Sequence, residues 1–292
     1  MRVLITGATG FVGKNLIQKM NREYDLHILV RPNSNWEDIG ISNVFEFSDN
    51  TTQLAEYLKE KHIDGIIHLA SLYIAEHKTE QVKDIVISNV YLGTALLEAC
   101  KIAGTKWFLN TGTIWQNYNA PDYSNEYHPV NLYSASKQAF MTMAQYYTET
   151  TDIRFCTLKL CDTYGPNDTR SKIFALFHQI AKSGEVLQMS PGNQKLDILH
   201  IDDVTNGFLL MVNLIAKNRE ILDEYVLTSH NHISLKEIAK TFTKVTGQNI
   251  NINWGGRPYR IREVIKPWKG TPVPKWIPRV NIEKGIKTLY SN

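Results

Sequence analysis

The sequence predicts an α/β protein: a doubly wound parallel sheet with helices on both faces, followed by a smaller α/β lobe. Three observations predict it. Strand-like and helix-like stretches alternate through the first half of the chain. A glycine turn, Gly7-Ala8-Thr9-Gly10-Phe11-Val12-Gly13, joins the first strand to the first helix. Gly7, Arg31, Ala70 and Thr111 all fall at carboxyl ends of strands, where ligands bind in such sheets.

With 292 residues, 43% hydrophobic and 21% charged, the chain can bury a full core and has the balance of a soluble globular protein. A net charge of +3 without a lysine or arginine run gives no reason to expect a nucleic-acid partner. Cys100, Cys156 and Cys161 are widely spaced and form no C-x-x-C, which fits buried thiols in a reducing compartment. No leader is visible ahead of Val3, and no apolar run approaches the roughly 18 residues that span a bilayer. The expectation is a cytoplasmic protein with no membrane partner and no metal site.

Arg2–Thr6 reads as a buried strand. The glycine turn follows, then a helix with Phe11, Val12, Leu16, Ile17 and Met20 at helical spacing. Strand, glycine turn and helix are the context a dinucleotide fingerprint requires. Glycines let backbone approach a pyrophosphate, and the helix N-terminus offers amide hydrogens. Gly7, Thr9, Gly10, Phe11 and Val12 are the candidate contacts.

Leu26–Val30 is the second strand, and Arg31 ends it. A carboxylate at that end would bind a ribose 2′-hydroxyl; a cation suits a 2′-phosphate. NADPH is therefore expected over NADH. The competing reading makes Arg31 a solvated loop residue and gives its task to Asp25, but Asp25 lies at the wrong end of the strand. Val44–Phe47 is the third strand, after which Asp49 either faces the adenine or caps the next helix. Gly65–Leu69 is the fourth, with His68 read as a satisfied core histidine. Leu69, Ala70 and Ser71 are placed against the cofactor phosphates. A long helix then carries Val82, Ile85, Val86, Val90, Leu96, Leu97 and Ala99 as its apolar residues, and Asn89 either bonds inward or lies on the surface. Lys106–Asn110 is the fifth strand.

Thr111 stands 22 residues before Tyr133, and Lys137 lies one helical turn after Tyr133. A phenol near pKa 10 transfers protons poorly at neutral pH unless tuned. Lys137 is expected to lower that pKa and to bond the nicotinamide ribose. Thr111 can hold a carbonyl oxygen while Tyr133 protonates it, which is acid catalysis matched to hydride transfer. Phe140, Met143 and Ala144 make the apolar side of this helix.

At these residues the chain resembles the extended short-chain dehydrogenase/reductases, in their nucleotide-sugar epimerase/dehydratase branch. The resemblance is carried by Thr6–Gly13, His68-Leu69-Ala70, Asn89-Val90 with Gly93-Thr94, Tyr133 with Lys137, Tyr164-Gly165-Pro166 and His200-Ile201-Asp202-Asp203-Val204. It implies a Rossmann domain over 1–166 with return segments about 197–229, a substrate-binding domain mainly over 167–292, and a homodimer built on two helices per subunit. Family dehydratases carry an acidic pair where Gly112 and Thr113 stand, and family members that epimerise next to the ketone carry cysteine at Thr113. With neither, the pattern is most similar to NDP-4-keto-6-deoxyhexose 4-reductases of the CDP-abequose/paratose synthase kind. The alternatives are an NAD-retaining 4-epimerase and a non-catalytic NADPH-binding regulator.

In the second half, Ile153–Leu160 reads as a strand ending before Asp162, where many relatives carry asparagine. Thr113, Asp162, Lys172, Lys195 and Arg257 are the candidate substrate contacts; for each lysine a solvated face is an equal reading. Relatives commonly carry arginine where Leu196 stands, and one within the Arg257–Arg262 cluster is implied to clamp a pyrophosphate. Asp197–Val204 and Glu224–Thr228 are expected to return to the main sheet. Ser234 with Glu237 marks a helix start that Gly247 stops, Ile250–Trp254 alternates as a strand, and Ile282–Leu289 closes the chain as a helix. Trp268, Trp276 and Pro278 read as packing residues.

Overall fold

Each short aliphatic run of the first half becomes a strand of one sheet. The structure is a computed structural model that describes residues 1–217 and 221–290. Its first half contains β1 (Arg2–Thr6), α1 (Phe11–Met20), β2 (Asp25–Val30), β3 (Val44–Glu46), α2 (Thr51–Glu60), β4 (Gly65–His68), α3 (Val82–Val86), α4 (Leu92–Ala103), β5 (Trp107–Thr113) and α5 (Leu132–Thr150). Then come β6 (Arg154–Leu160), β7 (Asp162–Tyr164), α6 (Ile173–Ser183), β8 (Leu187–Met189), β9 (Lys195–His200) and α7 (Ile201–Ala216). The last elements are β10 (Glu224–Leu227), β11 (His232–Ser234), α8 (Leu235–Thr246), β12 (Ile252–Trp254) and α9 (Ile282–Leu289).

The main sheet is parallel throughout, in the order β3-β2-β1-β4-β5-β6-β10. Chain direction across the sheet reverses between β1 and β4, so the glycine turn after β1 and the Leu69–Ser71 segment after β4 flank a topological switch point. Leu16, Ile17, Met20, Phe208 and Met211 fill one face, and Leu54, Leu96, Leu97, Phe108 and Phe140 fill the other. Each such side chain stabilises the fold by roughly 1.5–3 kcal/mol through burial. A third core, around Phe174, Phe177, Ile238, Phe242 and Ile286, lies among the later elements.

Several expectations need correction. Asp197–Val204 does not join the main sheet. Lys195–His200 pairs with β7 and β11 in a separate three-stranded sheet. Asp197 anchors that arrangement, accepting bonds from Ser229 and Thr228 and lying 3.4 Å from His232. From Ile201 the chain is helical, because His200 caps the first turn and Asp202 and Asp203 complement its dipole. Glu224–Leu227 does return, beside β6. The expected return segments include residues 218–220, which lie outside the described residues. Strand β5 runs past Asn110, so Thr111 and Thr113 are its last alternate residues.

A continuous helical rod, Thr79–Ala103, has the length and composition to cross a bilayer, against the expectation that no stretch does. Its inner side, including Ile85, Leu96, Leu97 and Cys100, is buried, as in a core helix. Val82 and Val86, expected on the apolar side of that helix, are exposed, as is Met143 of α5. Trp268 and Trp276 are packing residues: their indoles donate to Pro121 O and Asp203 O.

Candidate active site

Gly7 has φ +71, and a Cβ there would lie 2.6 Å from Ala70 N, so the turn and the Leu69-Ala70 segment touch backbone to backbone. A Cβ on Gly13 would lie 2.2 Å from Gly7 O, which lets α1 begin against the turn. The Thr6 hydroxyl joins the two strand ends, meeting His68 Nδ1 at 2.8 Å and accepting from Ala70 N. No side chain caps α1. Its first amides, around Gly10, Phe11 and Val12, therefore face the switch point with Thr9 exposed beside them, which is the geometry an anionic pyrophosphate needs.

Arg31 is exposed at the carboxyl end of β2 and makes no ion pair among the described residues. Asp25, at the other end, is held by Arg2 and Asn43. Asp49 is exposed in a left-handed turn, and it is Asn50 that caps α2.

Between α3 and α4 the rod makes one π-helical turn, Ile87–Tyr91. Asn89 projects inward from it and is fully buried. It accepts from Leu72 N at 2.8 Å and from Ser71 Oγ, and donates to Leu72 O and Ser136 Oγ. The inward alternative is the one adopted, and Asn89 ties the segment after β4 to the helix that carries Tyr133.

That helix, α5, starts at Asn131, whose side chain accepts from Ser134 N and donates to Ala75 O. Helix α5 packs on β5, and its first turns reach the carboxyl end of the sheet: Tyr133 bonds Ser71 just past β4, and Lys137 acts on His68, which pairs with Asn110 next to Thr111. Burial pushes the Tyr133 phenol up to about 12, with a hydrogen bond to Ser71 opposing. Lys137 does not lower it, contrary to the sequence expectation. Lys137 is itself pushed down to about 8 by burial at 1% exposure, and its Nζ has no hydrogen-bond partner among the described residues. Its charge acts on His68, whose buried ring is held neutral. His68 is satisfied only at Nδ1; its Nε2 has no partner. The Thr111 hydroxyl is also buried without a partner. Of these three orphaned polar atoms, two fit a bound dinucleotide and a carbonyl substrate beside the glycine turn: Lys137 can donate to ribose hydroxyls, and Thr111 to a ketone oxygen.

The Thr113 hydroxyl accepts from Trp115 N at 3.3 Å and caps the short turn Ile114–Gln116. Asp162 and Lys172 meet at 3.5 Å, with the ammonium 4.6 Å from the centre of the Tyr73 ring. The Tyr73 ring lies edge-on to Tyr133 at 5.1 Å. Lys195 is exposed at the start of β9, three residues before the Ile198 that pairs with Asp162, and is not brought to this cluster. Arg257 is exposed, and among the described residues its one bond is from its backbone N–H to Met189 O. Arg260 is the arginine of its cluster that reaches the mouth. It pairs with Glu76 at 2.8 Å, and its charge acts on Tyr73. Tyr73, Trp115 and Glu76 carried no signal in the sequence, because tertiary packing alone joins them; Arg260 was legible only as a member of a cluster from which Arg257 was the expected clamp.

A family model described as "NAD dependent epimerase/dehydratase family" matches residues 3–222. The chain belongs to this family. It is an NAD(P)-dependent enzyme of oxidoreductase type. It is similar to a CDP-abequose synthase of Salmonella muenchen, 30% identical over 99% of this chain and 97% of that protein. Among solved structures it is similar to a UDP-glucose 4-epimerase of Thermotoga maritima with UDP-glucose, with TM-score 0.83 and 19% identity, covering 99% and 97% of the two chains. A UDP-glucuronic acid 4-epimerase of Bacillus cereus, in complex with a fluorinated substrate analogue and NAD, matches with TM-score 0.83 and 20% identity over 99% and 98%. The fold of these epimerases is the Rossmann α/β fold described above.

Proposed function

We propose that this enzyme reduces the 4-keto group of a nucleotide-linked 4-keto-6-deoxyhexose with NADPH. The observation that carries this reading is Thr113. Its hydroxyl is spent on capping a backbone turn, and Gly112 precedes it, so this strand end supplies no base for a carbon-bound proton. Hydride transfer with proton transfer at oxygen is the chemistry that remains; a reductase and a 4-epimerase share it, and the similarity to CDP-abequose synthases favours the reductase.

In this reading Gly7, Thr9, Gly10, Phe11, Val12, Leu69, Ala70 and Ser71 line the pyrophosphate side of the cofactor, and Arg31 meets its 2′-phosphate. The dinucleotide supplies the hydride when bound. Thr111 orients the ketone oxygen. Tyr133, fully protonated at neutral pH, donates its proton to that oxygen. Lys137 holds the nicotinamide ribose through its unpaired ammonium. Asn89 fixes Ser71 against the phenol. On the substrate side, Asp162 and Lys172 face the sugar and Arg260 takes the diphosphate in place of Arg257.

A 4-epimerase that retains NAD is the second reading, favoured by the epimerase folds at TM-score 0.83. Substrate-dependent oxidation of added NADPH across a panel of nucleotide-linked 4-keto sugars separates the two. Stoichiometric consumption supports the reductase. Turnover without added cofactor, by protein purified with NAD, overturns it.

We also infer a homodimer in the cytoplasm. Val82, Val86, Ile87 and Tyr91 on the rod and Met143 and Tyr146 on α5 form an exposed apolar face suited to a second copy. The free thiols of Cys100, Cys156 and Cys161 suit a reducing compartment.

A further inference from the structure

Tyr73 is a large aromatic residue that remains 45% exposed, and it is exposed where it matters. Its ring meets Tyr133 at 5.1 Å and Trp115 at 5.7 Å. Trp115 is held in place by the Thr113 cap, one short turn past Thr111. Two aromatic rings therefore form a wall beside the phenol that would protonate the ketone. The other side chains at this mouth are ionic: Asp162 with Lys172, and Glu76 with Arg260. Burial raises the Tyr73 pKa, with Asp162 adding to the rise and Arg260 opposing it. One face of the Tyr73 ring carries the Lys172 ammonium, 4.6 Å from its centre, and the ring surface still exposed is what the wall offers a ligand. Ring surface is favourable for C–H groups, and it leaves a hydroxyl placed against it without a partner.

We propose that Tyr73 and Trp115 are specificity-determining residues, an aromatic wall that takes the methyl carbon of a deoxygenated sugar and disfavours a hydroxymethyl group there. This rests on the nucleotide-sugar reading given above and deepens it. A methyl beside two rings loses water at no polar cost. A hydroxyl at the same place loses its water bonds, and an apolar pocket rejects an added hydroxyl by at most about 100-fold. The wall thus sets a preference of one to two orders of magnitude, while the ketone contacts made by Thr111 and Tyr133 stay common to both sugars.

The test is calorimetric binding to the enzyme saturated with NADP⁺. The probes are matched nucleotide-6-deoxyglucose and nucleotide-glucose pairs with CDP, UDP and dTDP, scored with the nucleotide that binds tightest. The wild type is expected to prefer the 6-deoxy member by about 10–100-fold. Tyr73→Ala and Trp115→Ala should cut that ratio to about threefold or less, mainly by weakening the 6-deoxy ligand. Tyr73→Phe should retain it, since the ring and not the hydroxyl makes the wall. NADP⁺ affinity should be unchanged in all three, which certifies a folded site; Tyr73→Leu and Trp115→Phe serve if an alanine variant fails that check, and they should give intermediate ratios. A wild-type ratio near one, or variants that keep the full wild-type ratio, overturns the inference while leaving the nucleotide-sugar reading intact. A wild type that binds none of the six probes and oxidises no NADPH with 4-keto sugars overturns the reading, and the inference with it.

Discussion

Glu76 and Arg260 form an ion pair at 2.8 Å that bridges the segment after β4 and the arginine-rich segment after β12. Both side chains are substantially exposed, so the pair contributes little to stability. An anionic substrate that needs Arg260 must displace Glu76. Glu76→Gln is therefore expected to lower KM for the nucleotide sugar several-fold with kcat nearly unchanged, and to shift stability by less than about 0.5 kcal/mol. Arg260→Met should raise KM. Steady-state kinetics with thermal melts check both, and unchanged KM in the two variants removes Arg260 from the substrate site.

Tyr133→Phe is expected to lower kcat by about 100–10,000-fold, the usual worth of a positioned acid. NADPH affinity should change by less than about threefold, because the phenol is not needed to hold the dinucleotide. Stopped-flow hydride transfer and fluorescence titration measure the two. Retained turnover would remove Tyr133 from its role.

Lys137 carries a prediction of opposite signs. Its unpaired ammonium is buried, and its folded pKa, about 8, lies below its ordinary 10.5. Between those values the unfolded chain binds the extra proton, so the residue's contribution to stability rises with pH through about 8 to 10.5. Below pH 8 the buried charge costs its full amount. Lys137→Met should therefore stabilise the cofactor-free protein at pH 7 by about 1–3 kcal/mol while abolishing activity. In the wild type, activity should fall as pH rises through the lysine's pKa, with cofactor binding moving that limb upward. Denaturant melts and pH–rate profiles decide it; a destabilised Lys137→Met would show that the ammonium is already satisfied.

Arg31→Ala should weaken NADPH by 10- to 100-fold, about the worth of a charge-assisted pair, and leave NADH unchanged. Fluorescence titration with both cofactors reads the ratio. Equal losses for the two would assign Arg31 to the loop and not to the phosphate.

Tyr146→Glu on the exposed face of α5 is expected to yield monomer in sedimentation, with the wild type dimeric. A wild type that sediments as a monomer overturns the dimer.

Local signals were legible in the sequence. The glycine turn, the strand ends at Thr6 and Val30, the Ser234–Glu237 capping box and the α9 boundaries all depend on neighbours within a few residues. Long-range choices were not. Nothing local says that Lys195–His200 leaves the main sheet for β7 and β11, because strand propensity is the same in either sheet. Thr113 reads as a site residue by register, yet its hydroxyl finds a backbone amide two residues away. Lys137 reads as a charge beside a phenol, but burial dominates both groups. Tyr73 carried no sequence signal, because a lone tyrosine after a strand means little until its neighbours in space are known.

The π turn at Ile87–Tyr91 puts one residue more into the rod than an uninterrupted α-helix would hold. Two constraints separated by four positions, Asn89 bonded to Leu72 and Gly93 seated against the Phe140 ring, are both met because of that surplus residue. Deleting it would straighten the spiral and rotate one partner away by about 100°. The helix thus works as a phase adjuster, and its two ends can accumulate changes separately only while the odd residue is kept.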